Sequence, residues 1–330
     1  MSAVAERAPA SSAPPRRPRS VARGTVRPSW GDRLEYLGLR MAAGVLGALP
    51  LWLALRIGEL GALVAWLVDR PHRRVGMRNL ALAFPERPLA ARRRILRRSF
   101  LNLGRMAAEL AHFPRLTPGR VASMVRFADE DHWRRTMGEE RSTGRLVLSG
   151  HFGNWELLVF ANGMRGYPVS LVHRGIANPL VDRWLNRLRA RAGTRLIRKH
   201  DAARDVLRAL RARELLVLPF DQNSTRGLGV FVDFFGVPAS TNAGLARIAL
   251  RTGAPVLPVF LVREGRSARH VAHLLPAVHV ERRGDLEADV REATRRFSAL
   301  FEEMVRRYPE QWLWMHKRWK TRPEGEPRLY

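Results

Sequence analysis

A chain of 330 residues that is 46% apolar has enough hydrophobic material for one large or two small domains, which excludes global disorder. Lys and Arg outnumber Asp and Glu by 58 to 30, and the net charge of +28 calls for an anionic partner: a nucleic acid, an anionic membrane surface, or an acidic protein or substrate. The chain has no Cys, which excludes disulfides, thiolate nucleophiles and Cys-ligated zinc.

In chain order, residues 1–30 are rich in Ala, Ser, Pro and Arg without apolar periodicity, and read as a disordered basic tail. Arg16-Arg17 has the look of a twin-Arg export signal. The apolar run starts far downstream, however, so an uncleaved cytoplasmic tail is the expectation. Residues 31–75 contain the most apolar stretch and are expected to be membrane-association helices. Met41 to Leu55 runs without a charge but falls short of the roughly 20 residues that span a bilayer. Pro50 divides the stretch, and Arg56 and Glu59, three apart on one helical face, can pair. Trp52 and Trp66, near Arg56, Arg70 and Arg73, suit an interface beside anionic headgroups. A tilted span, a hairpin dipping into one leaflet and a core helix all fit.

Residues 76–325 are expected to form the main domain, with 326–330 as a short tail. The region 76–125 reads as amphipathic helix with a solvated arginine face. From about residue 145, short β-rich runs alternate with helices. Strands are expected at Arg145–Ser149, Val169–Arg174, Arg195–Arg198, Leu215–Phe220, Pro255–Arg263 and Val271–Leu275, and helices at 153–163, 179–192, 202–213, 242–252 and 286–307. Such alternation predicts an α/β fold, with a central, mostly parallel sheet flanked by helices.

The segment SGHFGNWE follows a strand directly, and functional groups in α/β sheets collect where a strand's carboxyl end meets a helix. His151 and Glu156 lie five apart, so on one regular helix their side chains would be about 140° apart. To interact, His151 must sit in the turn before the helix, a turn that Gly150 and Gly153 permit. A carboxylate on one ring nitrogen would leave the other free to deprotonate an alcohol. The same spacing recurs at His200 and Asp205. Asp205 sits among Arg204 and Arg208 on a polar helix face, whereas Glu156 is the only charge between Arg145 and Arg165.

SGHFGNWE resembles the His-x4-acid block of the lysophospholipid acyltransferase superfamily, and more closely that of the lauroyl/myristoyl acyltransferase group of lipid A biosynthesis. NLALAFPE at 79–86, the run 173–189, the run 218–260 and YPEQWLWMHKRWKTRPEG at 308–325 resemble that group in the same order. The resemblance implies an acyltransferase at the cytoplasmic face of the cell inner membrane. It would move an acyl chain from acyl carrier protein, or acyl-CoA, to a hydroxyl of an anionic glycolipid such as a lipid A precursor, without cofactor or nucleic acid. A related branch acylates mannosylated phosphatidylinositol from acyl-CoA. His151 and Glu156 are then the expected catalytic residues, and Arg174, Asp221 and Asn154 the expected substrate-binding ones. Arg174 would contact phosphate; Asp221 would orient a substrate hydroxyl or a catalytic Arg, or simply make a turn.

VFVDFFGVPAS suits an acyl-chain groove or a packed core, Thr241 and Asn242 suit helix caps, and the Trp–basic alternation near the C-terminus suits a headgroup-binding edge or a packed terminal segment. His270, His273 and His279 lack an evident carboxylate partner, so no metal site is expected. Rival readings are a hydrolase using the same His, and a non-catalytic basic protein binding membrane or nucleic acid.

Overall fold

The computed structural model describes residues 27–139, 143–199 and 202–330; all but the last residues of the expected basic tail, and His200, lie outside them. Pro50 separates helix α1 (Trp30–Ala48) from α2 (Leu51–Val68), because its ring cannot continue a helix. The region expected as one amphipathic stretch is three helices, α3 (Arg70–Ala83), α4 (Leu89–His112) and α5 (Pro118–Met124). Pro85, Pro88, Pro114 and Pro118 punctuate it, each at a helix start or in a connection.

The α/β domain follows as β1 (Val125–Phe127), α6 (Glu130–Arg134), β2 (Arg145–Ser149), α7 (Trp155–Met164), β3 (Val169–His173), α8 (Pro179–Arg191), β4 (Arg195–Arg198), α9 (Ala202–Arg211), β5 (Leu215–Pro219), β6 (Gly229–Phe234), β7 (Val237–Asn242), α10 (Gly244–Thr252), β8 (Val256–Arg263), β9 (His270–Leu274) and α11 (Leu286–Arg307). The main sheet has the order β1-β9-β8-β2-β5-β3-β4, parallel throughout except for the β8–β9 pair. β2 and β8 are buried at every position, as a parallel sheet covered on both faces requires. The strands missed in the sequence are β1, which is too short to show a period, and the β6–β7 hairpin. Phe234 and Phe235 of that hairpin pack with Trp312, Trp314 and Trp319 in the core. The aromatic run is therefore core, not cavity wall, and the C-terminal Trp segment is packed rather than a headgroup edge.

α2 and α4 approach so closely that a Cβ on Gly58 or Gly104 would overlap the other helix's backbone. Two buried ionic clusters tie α4 to its neighbours. The Glu59 carboxylate takes the Arg56 pair read from the sequence (3.1 Å) and also Arg105 of α4 (2.6 Å) and Arg266. Glu109 of α4 receives Arg263 at the end of β8 through both terminal guanidinium nitrogens, and the ring of His270 at 3.0 Å. His270 thus has a carboxylate partner after all, supplied from a helix 161 residues away. Burial alone would push the Glu109 carboxyl up, but the charges of His270 and Arg263 and their hydrogen bonds hold it down to about 2.

Removing one member of such a buried pair strands the other. Arg263→Met should cost about 3–5 kcal/mol, and the double replacement with Glu109→Met should recover most of that loss. Urea denaturation of the three variants against the parent measures it, and equal stabilities for the single and double variants would contradict the pairing.

Candidate active site

β2 and β5 are parallel neighbours in register, with Ser149 opposite Pro219. Residues two steps beyond that pair, His151 and Asp221, therefore emerge side by side at the carboxyl edge of the sheet. The Phe220 N–H donates to the Ser149 carbonyl at 3.0 Å and carries the alignment past the strand ends. Gly150 and Gly153 make the turn. A Cβ at Gly150 would crowd the Asp221 carboxylate, and Gly153 adopts φ +60° with its Cα against the Leu261 carbonyl, where a Cβ would overlap. His151 lies in this turn, four residues before α7 begins at Trp155, as the spacing argument required.

The imidazole Nδ1 is 2.9 Å from Asp221 Oδ1, and the His151 backbone N–H donates to Oδ2 at 3.1 Å. A carboxylate only accepts, so Nδ1 carries the proton and Nε2 presents its lone pair. The Gln222 amide donates toward Nε2 at 3.3 Å. Trp312 donates its indole N–H to Asp221 Oδ2 at 2.9 Å. Asp221 is buried; burial would raise its pKa, but the His151 charge and the His151 and Trp312 bonds hold it down to about 2. For His151, burial pulls the pKa down, while Asp221, through charge and hydrogen bond, and then Glu156 push it up; Arg189 pulls it down, and the ring ends above its ordinary value. His316 faces the same cluster. Its Nε2 accepts the Asn223 backbone N–H at 3.0 Å, and burial lowers its pKa to about 4, so it stays neutral beside His151.

The carboxylate bonded to His151 is thus Asp221, not Glu156. Glu156 is buried one turn away and takes a bidentate contact from Arg189 of α8, 2.9 Å from Nε and 2.6 Å from Nη2. This corrects the expected His151–Glu156 hydrogen bond: residue 156 projects from the helix and residue 151 from the turn, and the strand register delivers residue 221 instead. Asp221 also changes role, from an expected substrate contact to the group that orients the imidazole. Asn154, expected at the substrate, is fully buried as the cap of α7. Its Oδ1 accepts the Leu157 N–H at 3.0 Å and its amide donates to Glu109 at 2.6 Å, so nothing of it faces the cavity. Arg174 is exposed on the cavity rim, as its position after β3 suggested.

The cavity has a volume of about 960 Å³ and holds His151, Glu156, Arg189 and Gln222 at one part of its wall. Much of the remainder is apolar, with Leu158, Val159, Leu171, Val206, Val217 and Ile248, and its rim carries Arg174, Lys199 and Arg251. Such a space suits a molecule with a long hydrocarbon part and an anionic part. Three residues of this site were not read from the sequence. Arg189 is one arginine among many on an arginine-rich helix, Trp312 lies far beyond His151 in the chain, and Gln222 stood only as part of a polar loop. Among the described residues no group of three metal-ligating side chains occurs.

The sequence has relatives among known proteins. Residues 30–321 match the family model described as bacterial lipid A biosynthesis acyltransferase. The chain is similar to the lipid A biosynthesis palmitoleoyltransferase of Escherichia coli K12, with 28% identity over 78% of this chain and 81% of that protein. It is 29% identical to the lauroyltransferase of the same organism over 77% and 80% of the two chains. To its myristoyltransferase it is 26% identical, over 80% of each.

The Asp221 contact makes a spectroscopic claim. In Asp221→Asn the burial that lowers the His151 pKa loses its main opposition, so the ring's titration should move to lower pH. NMR of the ring protons against pH reads this directly. An unmoved midpoint would mean that Asp221 does not hold the ring.

Proposed function

The chain belongs to the bacterial lipid A biosynthesis acyltransferase family, and we propose that it moves a fatty acyl chain from an acyl thioester, acyl carrier protein by preference, to a hydroxyl of a lipid A precursor at the cytoplasmic face of the inner membrane. The observation that carries this reading is a His whose Nδ1–H is fixed by a buried carboxylate and whose Nε2 opens on a long apolar cavity with a cationic rim.

In the proposed reaction the acceptor hydroxyl takes the place of the Gln222 amide on His151 Nε2. Nε2 removes the hydroxyl proton as the oxygen attacks the thioester carbonyl. The new C–O bond forms, the C–S bond breaks, and the thiolate leaves with the proton returned by the imidazolium. Asp221 holds the ring's tautomer and stabilises the imidazolium. Arg189 and Glu156 form the adjoining wall, with Glu156 adding negative charge toward the ring. The backbone N–H groups of the turn are already engaged: His151 by Asp221, Phe152 by the Gly150 carbonyl and Gly153 by the Gln311 carbonyl. The displaced Gln222 amide stabilises the oxyanion instead. Apolar side chains of the cavity take the acyl chain, and Arg174 and Lys199 at the rim receive phosphate. Net charge of +28 serves two anionic substrates, the carrier protein and the phosphorylated lipid.

The test incubates purified enzyme with acyl carrier protein loaded with chains of different length and with candidate lipid acceptors, followed by mass spectrometry of the lipid. His151→Ala should abolish transfer in a folded protein, Asp221→Asn should lower kcat by about 10²–10⁴, and Glu156→Gln should lower it while leaving the fold intact. Since the base must be neutral, the rate should rise with pH through the elevated His151 pKa, and the residual activity of Asp221→Asn should rise at lower pH. Full activity in folded His151→Ala would end the assignment, and free fatty acid released without lipid product would make the enzyme a thioesterase.

A further inference from the structure

α1 and α2 each carry an outward apolar face in addition to the apolar side that packs on the protein. On α1, Trp30, Leu34, Leu37, Met41 and Val45 are all more than half exposed and fall within an arc of roughly 80°. The opposite side of α1 packs on the protein through Tyr36, Leu39, Ala43 and Leu46, with polar contacts beside them. Glu35 and the Asp32 carbonyl both take the Asn178 amide at 2.9 Å, and Arg40 lies over the Trp184 ring. α2 continues the apolar surface with Trp52, Leu60, Val64, Leu67 and Val68, each also more than half exposed. A contiguous surface of that extent on a folded protein marks an interaction site.

α2 has 18 residues and a mean hydropathy of 1.7, so by length and composition it qualifies as a span. Its contacts argue otherwise. Glu59, near its midpoint, is bound to Arg105 of α4 and to Arg266 in the turn between β8 and β9. A crossing α2 would put Glu59 near the bilayer centre and drag that turn of the central sheet to the same depth, where its charges and backbone are costly. Arg56, half exposed, lies within the outward face of α2 itself. With the helix axes in the membrane plane, the sheet stays on one side and Arg56 reaches the headgroups.

We propose that α1 and α2 lie in the plane of one leaflet of an anionic bilayer, Trp30 and Trp52 at the interface and Arg33, Arg70 and Arg74 on the headgroups, and that this docking brings the cavity mouth to the lipid. The charge of the chain selects the anionic surface. Continuity with the cavity gives the docking its use: Asn178, which α1 grips, caps α8 and ends the loop that carries Arg174 on the cavity rim and the exposed Ile176. Delivery of the acceptor along this edge rests on the acyl-transfer reading; the docking geometry does not.

The absence of Cys makes the geometry measurable with single labels. Met41→Cys, Trp52→Cys and Leu67→Cys, each carrying an environment-sensitive fluorophore, are bound to sealed phosphatidylethanolamine–phosphatidylglycerol vesicles containing nitroxide lipids of graded depth. In-plane docking places all three labels at similar shallow depth. The unlabelled Trp52→Cys and Leu67→Cys variants should be protected alike from a membrane-impermeant thiol reagent added outside, with no further change on lysing the vesicles. A site that reacts only after lysis shows a span and overturns the proposal. Leu34→Glu with Met41→Glu should weaken flotation with these vesicles at least about tenfold without lowering the melting temperature. Unchanged flotation, or a vesicle-free dimer that buries the labelled positions, overturns it too. His151→Ala should float like the parent, so loss of transfer with intact flotation addresses the catalytic reading alone.

Discussion

Asp221 has two oxygens, and three donors converge on them: the His151 backbone N–H, the His151 ring and the Trp312 indole. A carboxylate with 2% side-chain exposure stays ionised only when such partners replace water. The demand reaches through much of the molecule. β2 and β5 must be neighbours in register for residues 151 and 221 to meet. The segment carrying Trp312 must pass beneath them, and it is fastened on several sides. Ser99 donates to the Trp312 carbonyl at 2.6 Å, and the Asn79 amide donates to the carbonyls of Trp314 and His316, both at 2.7 Å. Gln311 bridges the end of β8 by exchanging two bonds with the Arg263 backbone. The helices before the sheet thus hold the segment that holds the carboxylate that holds the imidazole.

A second buried network meets the first at the turn. Glu109 grips Arg263 and His270, and through Asn154 it also fixes the first turn of α7, directly after His151. Asn102 adds bonds to Arg263 and to the Gly153 carbonyl. Buried charge of this kind adds little net stability compared with apolar packing, but its directional bonds fix one arrangement of α4 against the sheet and the turn. The same helix receives α2, so the exposed apolar helices and the candidate site share one support.

How much of this the sequence discloses depends on the range of the interaction. Strand–helix alternation is local, so most strand limits of the main sheet fall within a residue of their expected positions, and the long helix Leu286–Arg307 falls on its expected limits. The turn position of His151 followed from helix geometry alone. The partner of its ring did not, because 70 residues separate it from Asp221 and only strand order and register bring them together. Asn154 misled for a related reason: a cap and a substrate contact look alike until burial decides. Glu109 and His270 were unremarkable in sequence, one on a helix read as amphipathic with a solvated arginine face and the other in an apolar strand. Arg189 could not be singled out among so many arginines, whose number carries a global electrostatic signal and hides individual roles.

Why Glu156 should matter without touching His151 follows from the signs of the local charges. Arg189 lies near enough to lower the His151 pKa, and Glu156 raises it. Bound to each other, the two act on the ring with opposite signs, while Asp221 is the main group that raises its pKa against burial. Without Glu156 the guanidinium would stand uncompensated in the cavity wall and, in the proposed reaction, oppose the imidazolium that forms during proton transfer. In the proposed reaction the acid five residues after the histidine would therefore act through Arg189, keeping a positive charge fixed and neutralised beside a group that must become positive itself.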